Sequence, residues 1–388
     1  MKHETAYRGS ILLAVLFSGL IASGQKTARE SIGVSFSGQA IGWNTINPAA
    51  PFQTELGLRY IPKLSFRVPA KGFKVDGEFS ANTWLSGRWQ QGDSLHTKAQ
   101  LSPYRMWIRF SWDQFELRAG LQKINFGSAT MFRPLMWFDR IDPRDPLQLT
   151  DGVYGMLARY YFLNNANIWL WGLWGEEKTK GWEQLPTKKN SIEYGGRLQL
   201  PLHTGELAAT YHHRTAAPGG LLPDSLAGKA AYPENRIALD AKIDLAFGLW
   251  AEAALVHQDL DFSALQYKMM MNVGMDYTLG LGNGIRLMAE FFRYHLGKRA
   301  FDSAQESSFG LLSLSYPLNI VHSITGMVFY DFRNRNTYRF VNWSMALDRW
   351  NFYVMAFWNP DSYTLYNADL QTSLYGGWGF QLMAVFTH

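Results

Sequence analysis

The stretch RIALDAKIDL, residues 236–245, decides the fold class of this chain. Apolar and charged side chains alternate along it, and residues two apart lie on the same face of an extended strand. The apolar face carries Ile237, Leu239, Ala241, Ile243 and Leu245, and the charged face carries Arg236, Asp240, Lys242 and Asp244. A strand of this kind fits between water and an apolar medium, and it indicates an all-β protein.

The same alternation returns in segments of about ten residues along the chain, including 74–85 and 115–122. Repeated segments of this length, separated by turn residues, are typical of a transmembrane β-barrel. We predict a closed antiparallel barrel of about 18 strands, with roughly 16 as the alternative. The strands are expected to begin near residues 31, 53, 72, 99, 114, 152, 167, 191, 205, 234, 248, 265, 284, 306, 320, 337, 350 and 376.

The lengths of the connections separate a barrel from a soluble β-sandwich. A sandwich also alternates, because each strand has one wet face and one core face. In this chain short turns alternate with long connections, and the longest of these are residues 123–151, 178–190, 215–233, 296–305 and 359–375. Short periplasmic turns against longer external loops are the pattern of outer-membrane barrels.

Composition agrees with a barrel. Aromatic residues make up 15% of the chain and charged residues 18%, below the roughly 25% of soluble proteins. Aromatic side chains stand near the ends of the apolar faces, as in the girdles of barrels, at Tyr60, Tyr194, Trp250, Tyr277, Trp343, Trp358 and Trp378. The last strand, GWGFQLMAVF at 377–386, resembles the aromatic C-terminal signal by which the barrel assembly machinery inserts outer-membrane proteins.

Residues 1–24 have the layout of a secretory signal peptide. A short region with Lys2 and Arg8 precedes the apolar run 11–21, which is shorter than the roughly 20 residues of a membrane-spanning helix. We expect the mature barrel to cover residues 25–388 and to lie in the outer membrane, among its lipid and lipopolysaccharide. The chain has no Cys, so it cannot form a disulfide in the oxidising compartment that it enters.

No catalytic, metal or cofactor motif is found in the sequence. His212 and His213 are neighbours on a strand and face opposite sides, so they cannot chelate one ion together. No nucleophile and base can be assembled from spacing, and we expect a protein that is not an enzyme and needs no cofactor. Nucleic-acid binding is not expected despite the net charge of +5, because basic side chains inside a barrel form no surface stripe.

Arginine on the polar faces is the main functional signal. Arg105 and Arg109 share one face of the strand YRMWIRF, about 13 Å apart at a rise of ~3.3 Å per residue. A two-residue turn at 113–114 sets Arg109 opposite Arg118, and Glu116 is the neighbour that could compensate these like charges.

Arg159 and Arg197 fall on the polar faces of nearby strands, so the arginines form a basic wall. A wall of this kind predicts an anion-attracting track through a pore. The alternative is an ordinary wet interior, where the arginines are balanced by carboxylates on other strands.

The connection 123–151 contains the stretch MFRPLMWFDRIDPRDP, residues 131–146. Its aromatic and aliphatic side chains are too apolar to stay in water, and its three prolines stiffen the path. Long connections in compact folds are usually functional or disordered. We therefore expect this loop to fold inward onto the barrel wall and to constrict the lumen.

The segment LQKINFGSATMFRPLMWFDRIDPRDP, residues 121–146, resembles the pattern of alginate-export and related porin-like families of Gram-negative bacteria, although Leu121-Gln122-Lys123 replaces their usual Gly-Arg-Gln. The resemblance implies that Arg133 and Arg144 brace the loop or face the solute. It also implies that the loop aspartates pair with loop or wall arginines, the residues concerned being Asp139, Asp142, Asp145, Arg140 and Arg144. A purely structural loop is the alternative.

The function expected from these features is a Gram-negative outer-membrane porin or channel. It would let small hydrophilic solutes, anionic or sugar-type, diffuse down their gradients. The alternatives are a polysaccharide export channel and a barrel enzyme. Association of several barrels into a homo-oligomer is left open.

Overall fold

The computed structural model describes residues 32–141, 145–175, 178–217, 231–259, 266–301, 305–361 and 372–388. The predicted signal peptide lies outside these residues, as do Asp142 and Arg144 of the long loop. The eighteen strands are β1 (Gly33–Asn47), β2 (Gln53–Ala70), β3 (Phe73–Gln90), β4 (His96–Ser111), β5 (Phe115–Gln122), β6 (Val153–Tyr161), β7 (Asn167–Trp174), β8 (Ile192–Leu202), β9 (Gly205–Ala216), β10 (Tyr232–Asp244), β11 (Gly248–Gln258), β12 (Tyr267–Leu279), β13 (Ile285–Gly297), β14 (Gln305–Pro317), β15 (His322–Asp331), β16 (Asn336–Ala346), β17 (Trp350–Trp358) and β18 (Trp378–Thr387).

Every strand pairs antiparallel with the strand before and after it, and β1 pairs with both β2 and β18. The sheet is therefore a closed 18-stranded barrel, which confirms the predicted fold and excludes the 16-stranded alternative. Closure leaves no sheet edge unpaired, as a membrane-spanning sheet requires. No helix among the described residues is long and apolar enough to span a membrane.

The strand that decided the fold class has the predicted faces. Ile237 and Leu239 are each 57% exposed on the outer surface, whereas Arg236 and Asp240 are buried inside the barrel. Alternation sorts the side chains in the same way on the neighbouring strands, so an apolar band surrounds the barrel.

Trp250 was predicted to belong to the outer aromatic girdle, and this prediction is wrong. It lies inside the barrel, 5% exposed, opposite Lys242 of the neighbouring strand. Its indole covers Gly274 of β12, where a Cβ would come within 2.3 Å of the ring. The missing side chain at Gly274 makes room for this indole on the inner face.

The apolar outer band yields a first prediction. Leu239→Arg places a charge on the lipid face of β10, and we expect the free energy of unfolding in phospholipid vesicles to fall by about 2–4 kcal/mol if it lies near the bilayer centre. Leu163→Arg is the matched control, because Leu163 is 92% exposed in the short turn after β6. Equal losses for the two variants would contradict a membrane-facing band.

Candidate functional site

The connection between β5 and β6 folds into the barrel and crosses it, as far as its described residues 123–141 and 145–152 show; we name these residues the first inward loop. The ring of Phe132 stacks on Phe292 of β13 with centroids 5.4 Å apart, and it contacts Phe309 of β14 and Phe329 of β15. In a ring of eighteen strands, β14 lies opposite β5. The predicted inward fold is thus confirmed, and the loop reaches the far wall.

Two carboxylates on the far wall hold the tip of this loop by its backbone. Glu290 accepts hydrogen bonds from the backbone N–H groups of residues 130–132, at 2.7–3.2 Å. Glu252 accepts from the backbone N–H groups of Ala129 and Leu135. Successive N–H groups that converge on an anion form a favourable nest, and here the anions belong to the wall.

Glycine is required where the loop meets Glu252. Gly127 has φ of +98°, a conformation that side chains with a Cβ rarely adopt. A Cβ at this position would also lie 2.4 Å from Glu252 Oε1. The close approach of the loop to the wall therefore depends on Gly127.

Arg133 braces the loop from within. Its guanidinium donates to the Asp139 carboxylate at 3.2 Å, to the backbone oxygen of Phe126 and to the Asn125 side chain. The partner of Asp139 is thus Arg133 rather than Arg140 or a wall arginine, which corrects the pairing expected for this residue. Burial lowers the pKa of the nearby Lys123, and the Asp139 carboxylate opposes that shift.

The other end of the loop follows a different wall. Leu147 and Leu149 pack against Ile41 of β1, in a cluster that includes side chains of β2 and β18. The Asp145 carboxylate accepts from the backbone N–H groups of Leu147 and Leu149, which shapes this turn. The side chain of Arg105 on β4 donates to the backbone oxygen of Thr150 at 2.8 Å.

A second loop connects β7 to β8, and its described residues 178–191 also lie inside the barrel; we name them the second inward loop. The Glu183 carboxylate pairs with Arg236 of β10 at 2.6 Å and with Arg214 of β9 at 3.4 Å. Lys180 pairs with Glu193 of β8 at 2.7 Å. All five side chains are nearly fully buried, so this loop is fixed to the wall by ions shielded from water.

The two inward loops also hold each other. Trp182 Nε1 donates to the backbone oxygen of Arg133 at 2.7 Å, and Arg140 donates to the Thr179 hydroxyl at 2.7 Å. A Cβ on Gly181 would lie 1.8 Å from the backbone oxygen of Met136. From the sequence, residues 178–190 were predicted only as a long connection, and their packing against the first inward loop was not predicted.

The arginines near the short turns form the predicted cluster. Arg109 lies opposite Arg118, and Glu116 pairs with both, at 3.3 Å and 3.0 Å. Arg109 also binds Asp76 at 2.6 Å, and Arg159 approaches Glu116 to 3.8 Å. Three guanidinium groups thus share two carboxylates, so positive charge remains in excess on this part of the wall.

Burial divides the predicted site residues into two groups. Side chains of Arg109, Arg118 and Arg159 keep 29%, 14% and 16% of their surface exposed inside the barrel. Arg105 and Arg197 are 7% and 4% exposed. These two arginines, like Arg133, therefore brace the wall and loop, and the lining role predicted for them is not the one that their contacts support.

Arg197 is bound to the wall through both terminal nitrogens of its guanidinium group. Its two terminal nitrogens donate to the two oxygens of Asp240, at 2.6 and 2.8 Å, and one also donates to Thr210. The guanidinium lies 5.5 Å from the ring centroid of Phe126 in the first inward loop. It thus joins three strands beneath that loop.

Free space remains beside β1–β3 and β17–β18, where Asp145 and Leu147 of the first inward loop border it. A cavity of about 200 Å3 lies there, and its polar and aromatic lining includes Trp43, Glu55, Arg59, Trp84, Tyr375 and Gln381. On the inner faces of β2–β6 basic residues outnumber acidic ones: Arg59, Lys63, Arg67, Lys74, Arg88, Lys98, Arg105, Arg109, Arg118 and Arg159 against Glu55, Asp76, Glu78 and Glu116.

Several solved structures share this architecture. The chain is similar to "OccD3 (OpdP)" of Pseudomonas aeruginosa, with a TM-score of 0.55 and 10% identity over 94% of this chain and 93% of that one. It is also similar to "OccK5 (OpdH)" of the same organism, with a TM-score of 0.52 and 13% identity over 93% and 99%. "OccAB1" of Acinetobacter baumannii gives 0.51 and 10% over 94% and 98%.

These relatives are Gram-negative outer-membrane porins, so this chain has the fold of a multi-pass outer-membrane barrel. At such low identity the likeness establishes the fold alone. No family model and no curated protein matches the sequence. The local resemblance to alginate-export families stays a prediction. Among the described residues no group of three or more His, Asp or Glu is placed to hold a metal ion.

Proposed function

We propose that the protein is an outer-membrane channel for the passive diffusion of small hydrophilic solutes, with a preference for anions. The observation that carries this proposal is the uneven interior of the closed barrel. The tip of the first inward loop rests on β11 and β13–β15 and the second inward loop on β8–β10. By contrast, Arg109, Arg118 and Arg159 stay partly exposed, and the wall of β2–β6 has an excess of positive charge. A narrow basic passage of this kind raises the local concentration of anions.

The narrow interior also favours small solutes over polymers. A polysaccharide export channel would need room for a continuous chain, and the first inward loop crosses the barrel from β5 to the opposite wall. Small sugars remain compatible with the cavity, because Trp43 and Trp84 offer aromatic faces beside the charged groups of Glu55 and Arg59. No observation in the described residues favours an enzyme.

We further propose that residues 1–24 direct export and that the barrel assembly machinery inserts the mature chain. Support comes from β18, which pairs with β1 to close the barrel and presents Trp378 and Leu382 to the outside. These outward side chains match the aromatic and aliphatic face of the predicted C-terminal signal.

Conductance in planar bilayers tests the channel, and the reversal potential under a salt gradient tests its preference. We expect the wild type to favour anions, and Arg109→Gln with Arg118→Gln to lower the anion-to-cation permeability ratio several-fold, because Asp76 and Glu116 then stand uncompensated. Arg333→Gln with Arg339→Gln is the matched control, since both arginines are exposed away from the lumen.

If the wild type shows no conductance, the proposed channel function is wrong. A cation preference in the wild type would overturn the anion preference alone. An equal change in the control pair would show that the effect comes from net charge rather than from the inner wall.

A further inference from the structure

A group of positive charges lies on the outside of the barrel at the end that carries the long connections. Its members are Arg293, Lys298, Arg299, Arg333, Arg335 and Arg339, and we name it the basic rim. Arg293 and Arg339 point outward from β13 and β16, because their neighbours Phe292 and Phe340 are buried inside. Lys298 and Arg299 lie in the β13–β14 connection, and Arg333 and Arg335 lie in the β15–β16 connection.

The basic rim has little negative charge to balance it. Glu306 pairs with Arg293 at 2.8 Å. Asp331 is 1% exposed, and its carboxylate accepts from the backbone of the β15–β16 turn and from the Asn334 side chain. Among the described carboxylates none forms an ion pair with the remaining five basic residues; Asp302 lies outside the described residues.

The turn that carries Arg333 and Arg335 is held in place. The Arg333 guanidinium donates to the backbone oxygen of Glu306 at 3.3 Å, and the backbone N–H of Phe332 donates to Ser308 at 3.1 Å. These contacts tie the turn to β14. The charges therefore stand on a short, hydrogen-bonded turn above the sheet.

An apolar surface begins directly below the basic rim. The ring of Phe332 packs edge-on against Phe291 and Tyr330, with centroids 5.9 and 4.8 Å apart, and 51% of Phe332 stays exposed. Phe291 lies two residues before Arg293 on the same face, about 7 Å along the strand at ~3.3 Å per residue. Leu312 and further outward side chains extend this surface toward the short turns.

We propose that the basic rim binds the phosphate groups of an outer-leaflet phosphoglycolipid, whose acyl chains then lie along the apolar face of β13–β16. The long connections mark the external end of a barrel, so the basic rim meets the headgroups of the outer leaflet. Arginine forks match phosphate oxygens in pairs, and basic residues at a membrane surface attract anionic headgroups.

The apolar face decides between a lipid and a free anion. Three strand spacings separate β13 from β16, about 14 Å, which is wide enough for more than one phosphate. A free phosphate would use the charges alone, whereas a phosphoglycolipid also covers Phe291, Phe332 and Leu312. This surface is independent of the lumen, so the proposal stands apart from the transported solute.

The test counts lipids bound to the purified full chain by native mass spectrometry. The probes are a bis-phosphorylated glycolipid of the outer leaflet, the same lipid without its phosphates, a soluble acidic oligosaccharide and inorganic phosphate. The variants are Arg333→Gln/Arg335→Gln/Arg339→Gln, the same positions changed to Lys, and a control, Lys71→Gln/Arg349→Gln, in exposed turns at the opposite end. Heat-dependent mobility on gels verifies that each barrel is folded.

We expect the phosphorylated lipid to bind and the triple Gln variant to weaken it at least about tenfold, since each exposed cation near an anionic surface is worth roughly fivefold. The control should stay within about threefold of the wild type. The triple Lys variant should bind more tightly than the triple Gln variant and more weakly than the wild type, because it keeps the charges and loses the forks. Conductance should not change.

Unchanged binding by the triple Gln variant would overturn the proposal, as would an equal loss in the control. Equal binding of the dephosphorylated lipid would show that phosphate is not recognised. Tight binding of inorganic phosphate or of the acidic oligosaccharide would show an anion or polysaccharide site in place of a lipid site.

Discussion

Replacing Glu252 and Glu290 by Ala together is expected to release the tip of the first inward loop and to raise single-channel conductance. The two carboxylates accept hydrogen bonds from five backbone N–H groups of the loop. Each buried donor left without an acceptor costs about 1–3 kcal/mol, so the folded position of the tip is destabilised. Larger or noisier currents in planar bilayers would report the released loop.

Chymotrypsin gives an independent readout of the same release. Trp137 is 1% exposed in the folded loop, so the peptide bond that follows it should resist cleavage in the wild type and become accessible in the double variant. Glu206→Ala is the matched control, because Glu206 bonds Gln199 near a short turn and does not touch the loop. Wild-type conductance together with chymotrypsin resistance in the double variant would refute the role of these carboxylates.

Arg236→Met is expected to cause the largest loss of stability. Its guanidinium pairs with Glu183 of the second inward loop and with Glu234 on its own strand, and all three side chains are almost fully buried. Arg214 and Lys180 still contact these carboxylates, but removing Arg236 leaves one negative charge in excess in the buried network, and breaking a buried pair costs about 3–5 kcal/mol. Denaturant unfolding of the barrel in lipid vesicles measures the change.

The same substitution elsewhere provides the control. Arg293→Met removes an ion pair with Glu306 that is 43% and 38% exposed, and exposed pairs contribute about 0–1 kcal/mol. Arg236→Met combined with Glu183→Leu should recover part of the loss, since the loop then carries no unpaired charge at that point. A loss of the same size for Arg236 and Arg293 would contradict the buried network.

The barrel could be predicted from the sequence because alternation and turn length are local properties. The predicted strand starts lie within a few residues of the observed ones. A two-residue turn fixes the register between β4 and β5, and it placed Arg109 opposite Arg118 with Glu116 beside them. His212 and His213 face opposite sides, as predicted: His212 bonds Glu193 inside, and His213 contacts Asn235 outside.

The contents of the barrel could not be predicted because they depend on contacts between distant segments. Spacing does not show that Phe132 reaches β13, or that Asp139 pairs with Arg133. Glu252 and Glu290 are the one feature of the sequence that could have indicated the loop contact, because each is a single carboxylate on an inner face that is otherwise mostly apolar. Isolated carboxylates of this kind need hydrogen-bond donors, and the loop backbone supplies them.

In this barrel, one part of the wall holds packed loops and another part lines the free space. Strands β8–β15 hold the tip of the first inward loop and the second inward loop, and they carry buried ion pairs, so a substitution there destabilises the folded state. Strands β2–β6 present partly exposed arginines whose replacement costs less stability. Substitution of the partly exposed arginines can therefore change the solute preference during evolution, while the packed half of the interior keeps its structure.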